Sequence, residues 1–246
     1  MMDYTKAYTS KSKSQKGFDE GLRSYMLKIY NYMTLALILT GAMAYGTLNF
    51  PPLMNIMYNV GPSGELLGQT MLGMIITFAP LGIALFFFMG MGRMSVQTAQ
   101  VTFWVYAALM GMSLSSLGLM YTGQSLVRTF LICSAVFGSM SLYGYTIKRD
   151  LTSRGSFLIM GLIGLIVVSI INIWLQSPAI QFATSFIGVA IFMGLTAWDT
   201  QKLKTMYYTS GGGEMGQKMS IMGAFTLYLD FINLFLYLLR FFGDRR

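Results

Sequence analysis

The sequence predicts an all-α membrane protein with seven transmembrane helices, and the distribution of charge is the main reason. Charged residues make up only 11% of the chain, whereas soluble domains contain roughly 25%. Hydrophobic residues make up 54%, and the mean hydropathy is +0.57. A transmembrane helix needs about 20 apolar residues, and the uncharged stretches provide this length. These stretches are 29–64, 66–92, 94–127, 129–147 and 155–198.

Turn-forming residues divide the uncharged stretches into individual spans. Pro51 and Pro52 end the first span, because proline cannot continue a helix. The stretch 155–198 would form a helix of about 66 Å, roughly twice the thickness of the hydrocarbon core, so it must be two helices. Gln176, Ser177 and Pro178 provide the break. The predicted spans are about 29–48, 70–92, 97–119, 125–146, 156–175, 179–198 and 220–242.

Lysine and arginine are concentrated on alternate connections, which predicts the orientation of the chain. The basic set consists of the N-terminal segment and the connections at 93–96, 147–155 and 199–219. The connections without a basic residue are 49–69, 120–124 and 176–178. The positive-inside rule places the basic set in the cytoplasm. We therefore predict a basic cytoplasmic tail, residues 1–28, followed by one transmembrane domain, residues 29–246.

The end of the chain conflicts with this rule. Seven complete spans would place Arg245 and Arg246 outside the cytoplasm, whereas their charge favours the inside. A re-entrant or half-inserted segment at 220–242 would remove the conflict. Both possibilities remain open from the sequence.

Asp230 is the deepest ionisable residue of the predicted spans. An acid at membrane depth costs roughly 2.5–3.5 kcal/mol even on insertion scales, so it needs a protein or water partner. The helical repeat places Asp230 on one polar face of the last span, and we expect this face to contact protein or water. The residues of this face are Thr226, Asp230, Asn233, Tyr237 and Arg240.

Asp199 ends the sixth predicted span on the side from which the last span begins, so its carboxylate can meet that of Asp230. Two carboxylates in contact would titrate as a unit. Because the chain contains no histidine, this pair is the best candidate for a proton-sensitive element. Two simpler alternatives remain: Asp199 lies in the headgroup layer, or Asp230 forms a static ion pair with Arg240 or Arg93.

Several classes of function are not expected. One cysteine and no histidine exclude a disulfide framework and a histidine-based metal site. The sequence contains no GxxxxGK[ST], HExxH or GxSxG motif, and its three glutamates lie outside the spans. We therefore expect no enzyme activity, no bound cofactor and no nucleic-acid partner. The partners that we do expect are the surrounding membrane lipids.

Three stretches of the sequence resemble the Bax inhibitor-1 (TMBIM) family, in its bacterial branch. They are LYLDFINLFLYLLR at 227–240, AWDTQKLK at 197–204 and YGYTIKRDL at 143–151. The resemblance implies a bundle in which six helices surround a central C-terminal helix. It also implies a pH-sensitive calcium leak, with Asp199 and Asp230 as a hydrogen-bonded pair near the cytoplasmic side. Arg93 is the positional match to an arginine that bridges to the pair.

The leading hypothesis is therefore a calcium or cation leak across a bacterial inner membrane, gated by a proton shared between Asp199 and Asp230. Ca²⁺ would be the permeant or weakly bound ion, with water or backbone carbonyls completing its usual 6–8 ligands. The resemblance to bacterial members also suggests an alternative: a regulator that binds and inhibits a membrane-bound AAA protease through residues 1–28. A third possibility is a proton-coupled transporter, although no inverted repeat supports it. Deletion of residues 1–20 separates the first two hypotheses, because lost regulation with retained flux favours the protease partner.

Overall fold

A computed structural model describes residues 4–210 and 213–246. These residues form eight α-helices and one antiparallel pair of strands. Seven of the helices are long and apolar enough to cross a membrane, and the short α2 is the exception. The predicted all-α membrane bundle is confirmed. The elements are α1 (Tyr4–Asn49), α2 (Pro51–Met57), β1 (Tyr58–Val60), β2 (Leu66–Gln69), α3 (Met71–Gly90), α4 (Val96–Met120), α5 (Gly123–Thr146), α6 (Thr152–Leu175), α7 (Pro178–Ser210) and α8 (Gly213–Phe242).

Local side chains set the boundaries of several helices. Thr70, Ser95 and Thr122 precede α3, α4 and α5, and each side-chain oxygen accepts a hydrogen bond from a backbone N–H three residues ahead. The predicted break between the fifth and sixth spans is present in the structure at residues 176–178. Gln176 adopts the left-handed conformation at φ 48°, and Pro178 begins α7. Proline suits this first helical position because its missing N–H would have no partner there.

The last helix occupies the centre of the bundle. In the most apolar window of α8, 61% of the residues are buried, compared with 6–39% in the other six spans. Helix α8 packs against α1, α4, α5 and α7. Helix α6 has the lowest burial of the seven and packs mainly on α7. The central C-terminal helix implied by the family resemblance is therefore present.

Helix α8 runs without interruption to the turn between α4 and α5. Beyond its end, the backbone oxygen of Asp244 accepts a hydrogen bond of 3.1 Å from Thr122 N, and Arg246 N donates one of 3.0 Å to Met120 O. This continuous path favours a complete seventh span over a re-entrant segment. We call this end of the bundle, with residues 120–124, 175–178 and 243–246, the C-terminal face. The end that carries residues 91–95 and 147–151 is the opposite face.

Three helices extend beyond the predicted spans. Helix α7 continues from the predicted end at 198 to Ser210, and α8 begins at Gly213 instead of 220. Helix α1 is continuous across the predicted boundary at residue 28, and Leu22 and Tyr25 are buried. Hydropathy marks the part of a helix that lies in hydrocarbon, whereas the helix itself can continue through the headgroup layer and beyond. Of the predicted Gly211-Gly212-Gly213 loop, residues 211 and 212 lie outside the described residues.

The connection between α1 and α3 contains structure that hydropathy does not reveal. Pro51, which ends the first span, also begins the short helix α2, and strands β1 and β2 follow. The hydroxyl of Tyr58 in β1 is 2.9 Å from the hydroxyl of Ser115 in α4. This buried contact attaches the connection to the bundle.

Candidate functional site

Asp199 on α7 and Asp230 on α8 meet in the interior of the bundle. Their side chains lie within hydrogen-bonding distance of each other. Asp199 is 8% exposed and Asp230 is 5% exposed. The Oδ2 atom of Asp230 is buried, and no N–H group or hydroxyl of the described residues donates a hydrogen bond to it. The structure thus brings together the two carboxylates that the sequence places on consecutive spans.

Two glycines allow α7 and α8 to approach closely on either side of this pair. A Cβ atom at Gly188 would lie 2.6 Å from Cδ1 of Tyr237, on the side of the C-terminal face. A Cβ atom at Gly223 would lie 2.6 Å from Cδ2 of Leu203, on the side of the opposite face. Small residues permit this close packing of helices in a membrane. The carboxylates therefore meet between two points of tight helix contact.

Asp199 lies well inside its helix. Because α7 continues to Ser210, Asp199 is about 17 Å from the helix end, at 1.5 Å per residue. Its neighbours Thr196 and Thr200 are fully buried. The side chain of Asp199 is therefore enclosed by protein and does not lie at the end of its helix.

The cationic residues considered as partners lie away from the pair. Arg93, in the turn after α3, is exposed, and Arg240 is exposed with its guanidinium 5.5 Å from the ring of Tyr237. Within residues 4–210 and 213–246, neither arginine forms an ion pair with Asp199 or Asp230. The charged group that acts on Asp199 is Lys202, three positions further along α7. A role for Arg93 as counter-charge stays a prediction.

The polar face of α8 contacts protein in part. The ring of Tyr237 stacks on Phe192 of α7, with centroids 5.7 Å apart. Thr226 and Asn233 are half-buried, and each donates a hydrogen bond to the backbone oxygen four residues earlier. Asp230 is thus the member of this face whose side chain keeps an oxygen without a partner.

The remaining sides of α8 are enclosed. The hydroxyl of Tyr228 lies 2.7 Å from the hydroxyl of Thr40 on α1, which also donates a 2.9 Å hydrogen bond to Ala107 O on α4. One turn earlier, Phe225 is surrounded by aromatic rings from α3 and α4. These rings belong to Phe87, Phe88, Phe103 and Tyr106. The centre of the bundle is therefore closed by packed side chains.

Thr200, next to Asp199, joins a chain of hydroxyl groups across three helices. Its Oγ1 lies 3.0 Å from Oγ of Ser141 on α5, which lies 2.5 Å from the hydroxyl of Tyr30 on α1. Hydropathy and spacing do not single out Tyr30 or Ser141 as site residues. The signal that could have identified Thr200 is its place beside Asp199 in the segment 197–204.

Gln201 on α7 forms two hydrogen bonds to the connection between α5 and α6. Its amide nitrogen donates a 2.9 Å hydrogen bond to Arg149 O, and its amide oxygen accepts a 2.8 Å hydrogen bond from Leu151 N. The three consecutive residues 199–201 therefore contact three different parts of the bundle.

A third carboxylate, Asp150, provides a contrast because it is exposed in the same connection. The hydroxyl and the backbone N–H of Thr152 donate hydrogen bonds of 2.6 and 2.9 Å to its Oδ1. These bonds hold the pKa of Asp150 below its ordinary value. Asp150 is therefore ionised at neutral pH and does not titrate there.

The aspartate pair supplies only part of a metal-binding shell. No cluster of three or more histidine, cysteine, aspartate or glutamate side chains that could hold a metal ion occurs in residues 4–210 and 213–246. Two carboxylates offer at most about four oxygens, whereas Ca²⁺ takes 6–8. Chemically, the arrangement can share a proton, or hold a cation weakly with the help of water or carbonyl oxygens.

Comparison with known proteins identifies the family. Residues 22–246 match the family described as Inhibitor of apoptosis-promoting Bax1. A protein of Rickettsia prowazekii is 63% identical over the whole of both chains, and one of Caulobacter vibrioides is 44% identical over the same share. The Inner membrane protein YbhL of Escherichia coli is 42% identical, over 92% of this chain and 94% of its own length. The protein is thus a membrane protein with inner-membrane relatives, and the chain belongs to the Bax inhibitor-1 family.

Proposed function

We propose that the protein is a pH-sensitive leak pathway for Ca²⁺ or other cations, and that the Asp199–Asp230 pair is its gate. The observation that supports this proposal is the contact of two carboxylates between α7 and α8, where one buried oxygen of Asp230 receives no hydrogen bond from an N–H group or hydroxyl of the described residues. Buried polar atoms are normally satisfied, and exceptions occur at functional sites. The enclosure of α8 by aromatic and aliphatic side chains corresponds to a closed state.

The number of protons on the aspartate pair determines how strongly α8 is held against α7. With one proton, a carboxylic acid donates to a carboxylate, and this charge-assisted hydrogen bond holds α8 against α7. With no proton, two negative charges stand side by side in a medium of low dielectric constant and repel each other. With two protons, the contact loses the negative charge that strengthens it. Flux is therefore lowest at the pH at which the pair holds one proton.

Lys202 is the described cation that modifies this balance, because it interacts with Asp199 from the next turn of α7. A cation that enters between separated helices would find two carboxylates. It would bind weakly there, since the pair provides too few ligands to retain Ca²⁺. Weak binding is compatible with passage, because an ion must also leave the site.

We place the protein in a bacterial inner membrane with its N-terminus in the cytoplasm. The name of the Escherichia coli relative supports the membrane, and the excess of lysine and arginine on the connections of the opposite face supports the orientation. With seven spans, the C-terminal face is periplasmic. A reporter fused after Arg246 tests this orientation, because alkaline phosphatase is active only outside the cytoplasm.

The test of the proposed function is Ca²⁺ flux into proteoliposomes between pH 5 and 8. Wild type is compared with Asp230→Asn and Asp230→Ala. The asparagine amide donates a hydrogen bond to Asp199 at every pH, so we expect a low flux without pH dependence. Alanine leaves Asp199 without its partner, so we expect a higher flux.

Asp150→Asn is the matched control, because it removes an exposed carboxylate that stays ionised over this range and keeps an oxygen acceptor for Thr152. Its pH profile should match that of wild type. A wild-type flux that does not change between pH 5 and 8 would overturn the proposal. Saturation of transport by an organic substrate would favour a transporter instead.

A further inference from the structure

A cavity of about 690 Å³ lies at the C-terminal face, between α6 on one side and α4, α7 and α8 on the other. Its deeper part is apolar and is lined by Ile166 and Ile170 of α6 and Leu117 of α4. Ile166 lies about 14 Å below the end of α6, at 1.5 Å per residue. The rim is polar, with side chains that include Gln176 and Gln181. The cavity therefore changes from polar to apolar with depth, as a phospholipid does.

Two arginines line the cavity at its polar end. Arg240 is placed against the ring of Tyr237, and the backbone of Arg245 is paired with that of Tyr121. Within the described part of the chain, neither arginine forms an ion pair, and no acidic side chain lines the cavity. The adjacent carboxylate of Asp244 is already bound by Arg128 at 3.0 Å. The cavity thus presents two guanidinium groups without a protein anion.

Ser169 marks the middle of the cavity wall on α6. The residue lines the cavity, and its hydroxyl oxygen is covered by neighbouring atoms. Ser169 lies about 10 Å below Gln176 along the axis of α6. A small side chain at this depth leaves room for the glycerol backbone of a phospholipid whose headgroup lies at the rim.

We propose that the cavity binds one anionic phospholipid. Its phosphate lies between Arg240 and Arg245, its glycerol backbone passes Ser169, and an acyl chain runs along Ile166 and Ile170. Guanidinium groups match phosphate oxygens in geometry and charge, so two unpaired arginines at the rim favour a phosphate headgroup. A free phosphate ion would leave the apolar part of the cavity unused. Helix α6 packs mainly on α7, so the cavity adjoins the bilayer from which a lipid enters.

Titration of the purified protein with phosphatidylglycerol, followed by native mass spectrometry, tests this site. The variant Arg240→Gln/Arg245→Gln should bind the first phosphatidylglycerol about 30-fold more weakly, from the contribution of two basic residues near an anionic lipid. Lys148→Gln/Arg149→Gln is the matched control, because it removes two exposed charges at the opposite face. Its affinity should match that of wild type. Equal binding by both double variants would overturn the proposal.

A second pair of variants leaves both arginines in place. Ser169→Phe fills the cavity and should abolish the specific phosphatidylglycerol complex, whereas Val168→Phe, at an exposed neighbouring position outside the cavity lining, should retain it. Phosphatidylcholine and inorganic phosphate distinguish the ligands. Equal affinity for phosphatidylcholine would show that charge does not select the lipid, and displacement of the lipid by millimolar phosphate would identify a simple anion site. Either result contradicts the proposal.

Discussion

The ring of Tyr237 on α8 rests directly against Gly188 on α7. A Cβ atom at position 188 would come within 2.6 Å of this ring. Tyr237 also stacks on Phe192, so the ring has little freedom to move aside. The close spacing of α7 and α8, which carry the aspartate pair, thus requires that residue 188 has no side chain.

Gly188→Ala should separate α7 from α8 and raise the Ca²⁺ leak, because the added methyl group overlaps the ring of Tyr237. Flux into proteoliposomes measures this effect. Gly164→Ala on α6 is the control, since no atom lies within 4 Å of its added Cβ. An equal flux in the two variants would show that tight packing at Gly188 does not keep the pathway closed.

Gln201→Met should loosen the connection between α5 and α6, because methionine keeps the length of the side chain but loses both hydrogen bonds to this connection. Hydrogen exchange at Leu151 should become faster, since its N–H loses its acceptor. Gln124→Met, at an exposed position near the start of α5, should leave this exchange unchanged. Unchanged protection of Leu151 in Gln201→Met would contradict the proposed role of Gln201.

Tyr228→Phe should lower the free energy of unfolding by about 1 kcal/mol, the usual net contribution of a buried hydrogen bond between neutral groups. The lost bond joins α8 to Thr40, whose hydroxyl keeps its contact with Ala107 O. Thermal unfolding in detergent measures the change. Tyr143→Phe alters an exposed ring and should have little effect. Equal stabilities of the two variants would show that the bond to Thr40 contributes nothing.

Much of the architecture could be predicted from the sequence, because hydrocarbon imposes strict demands on a chain. Long apolar stretches with few or no charges define the seven spans, and Gln176 and Pro178 mark the break between α6 and α7 for local steric reasons. The contact of Asp199 and Asp230 is one of the arrangements that membrane physics allows, since an acid at this depth needs a polar partner, and the family resemblance favours it over an ion pair with Arg93 or Arg240. These features depend on composition and on short-range sequence pattern.

The missed features depend on tertiary contacts. Gln201 is an ordinary polar residue in the sequence, and its role appears only once α5 and α7 lie side by side. The α2 helix and the strands after it are too short for a hydropathy signal. The helical repeat places Arg240 on the same face as Asp230, yet in the structure Arg240 lines a cavity towards α6. The helical repeat gives the direction of a side chain but not its neighbour.

The sharpest test of the aspartate pair is a double-mutant cycle in Ca²⁺ flux against pH, with wild type, Asp199→Asn, Asp230→Asn and the variant with both changes. If the two carboxylates share one proton, either single change removes the pH dependence of the flux. The second change then causes no further loss of pH dependence. Independent, additive effects of the two changes on the pH profile would contradict a shared proton.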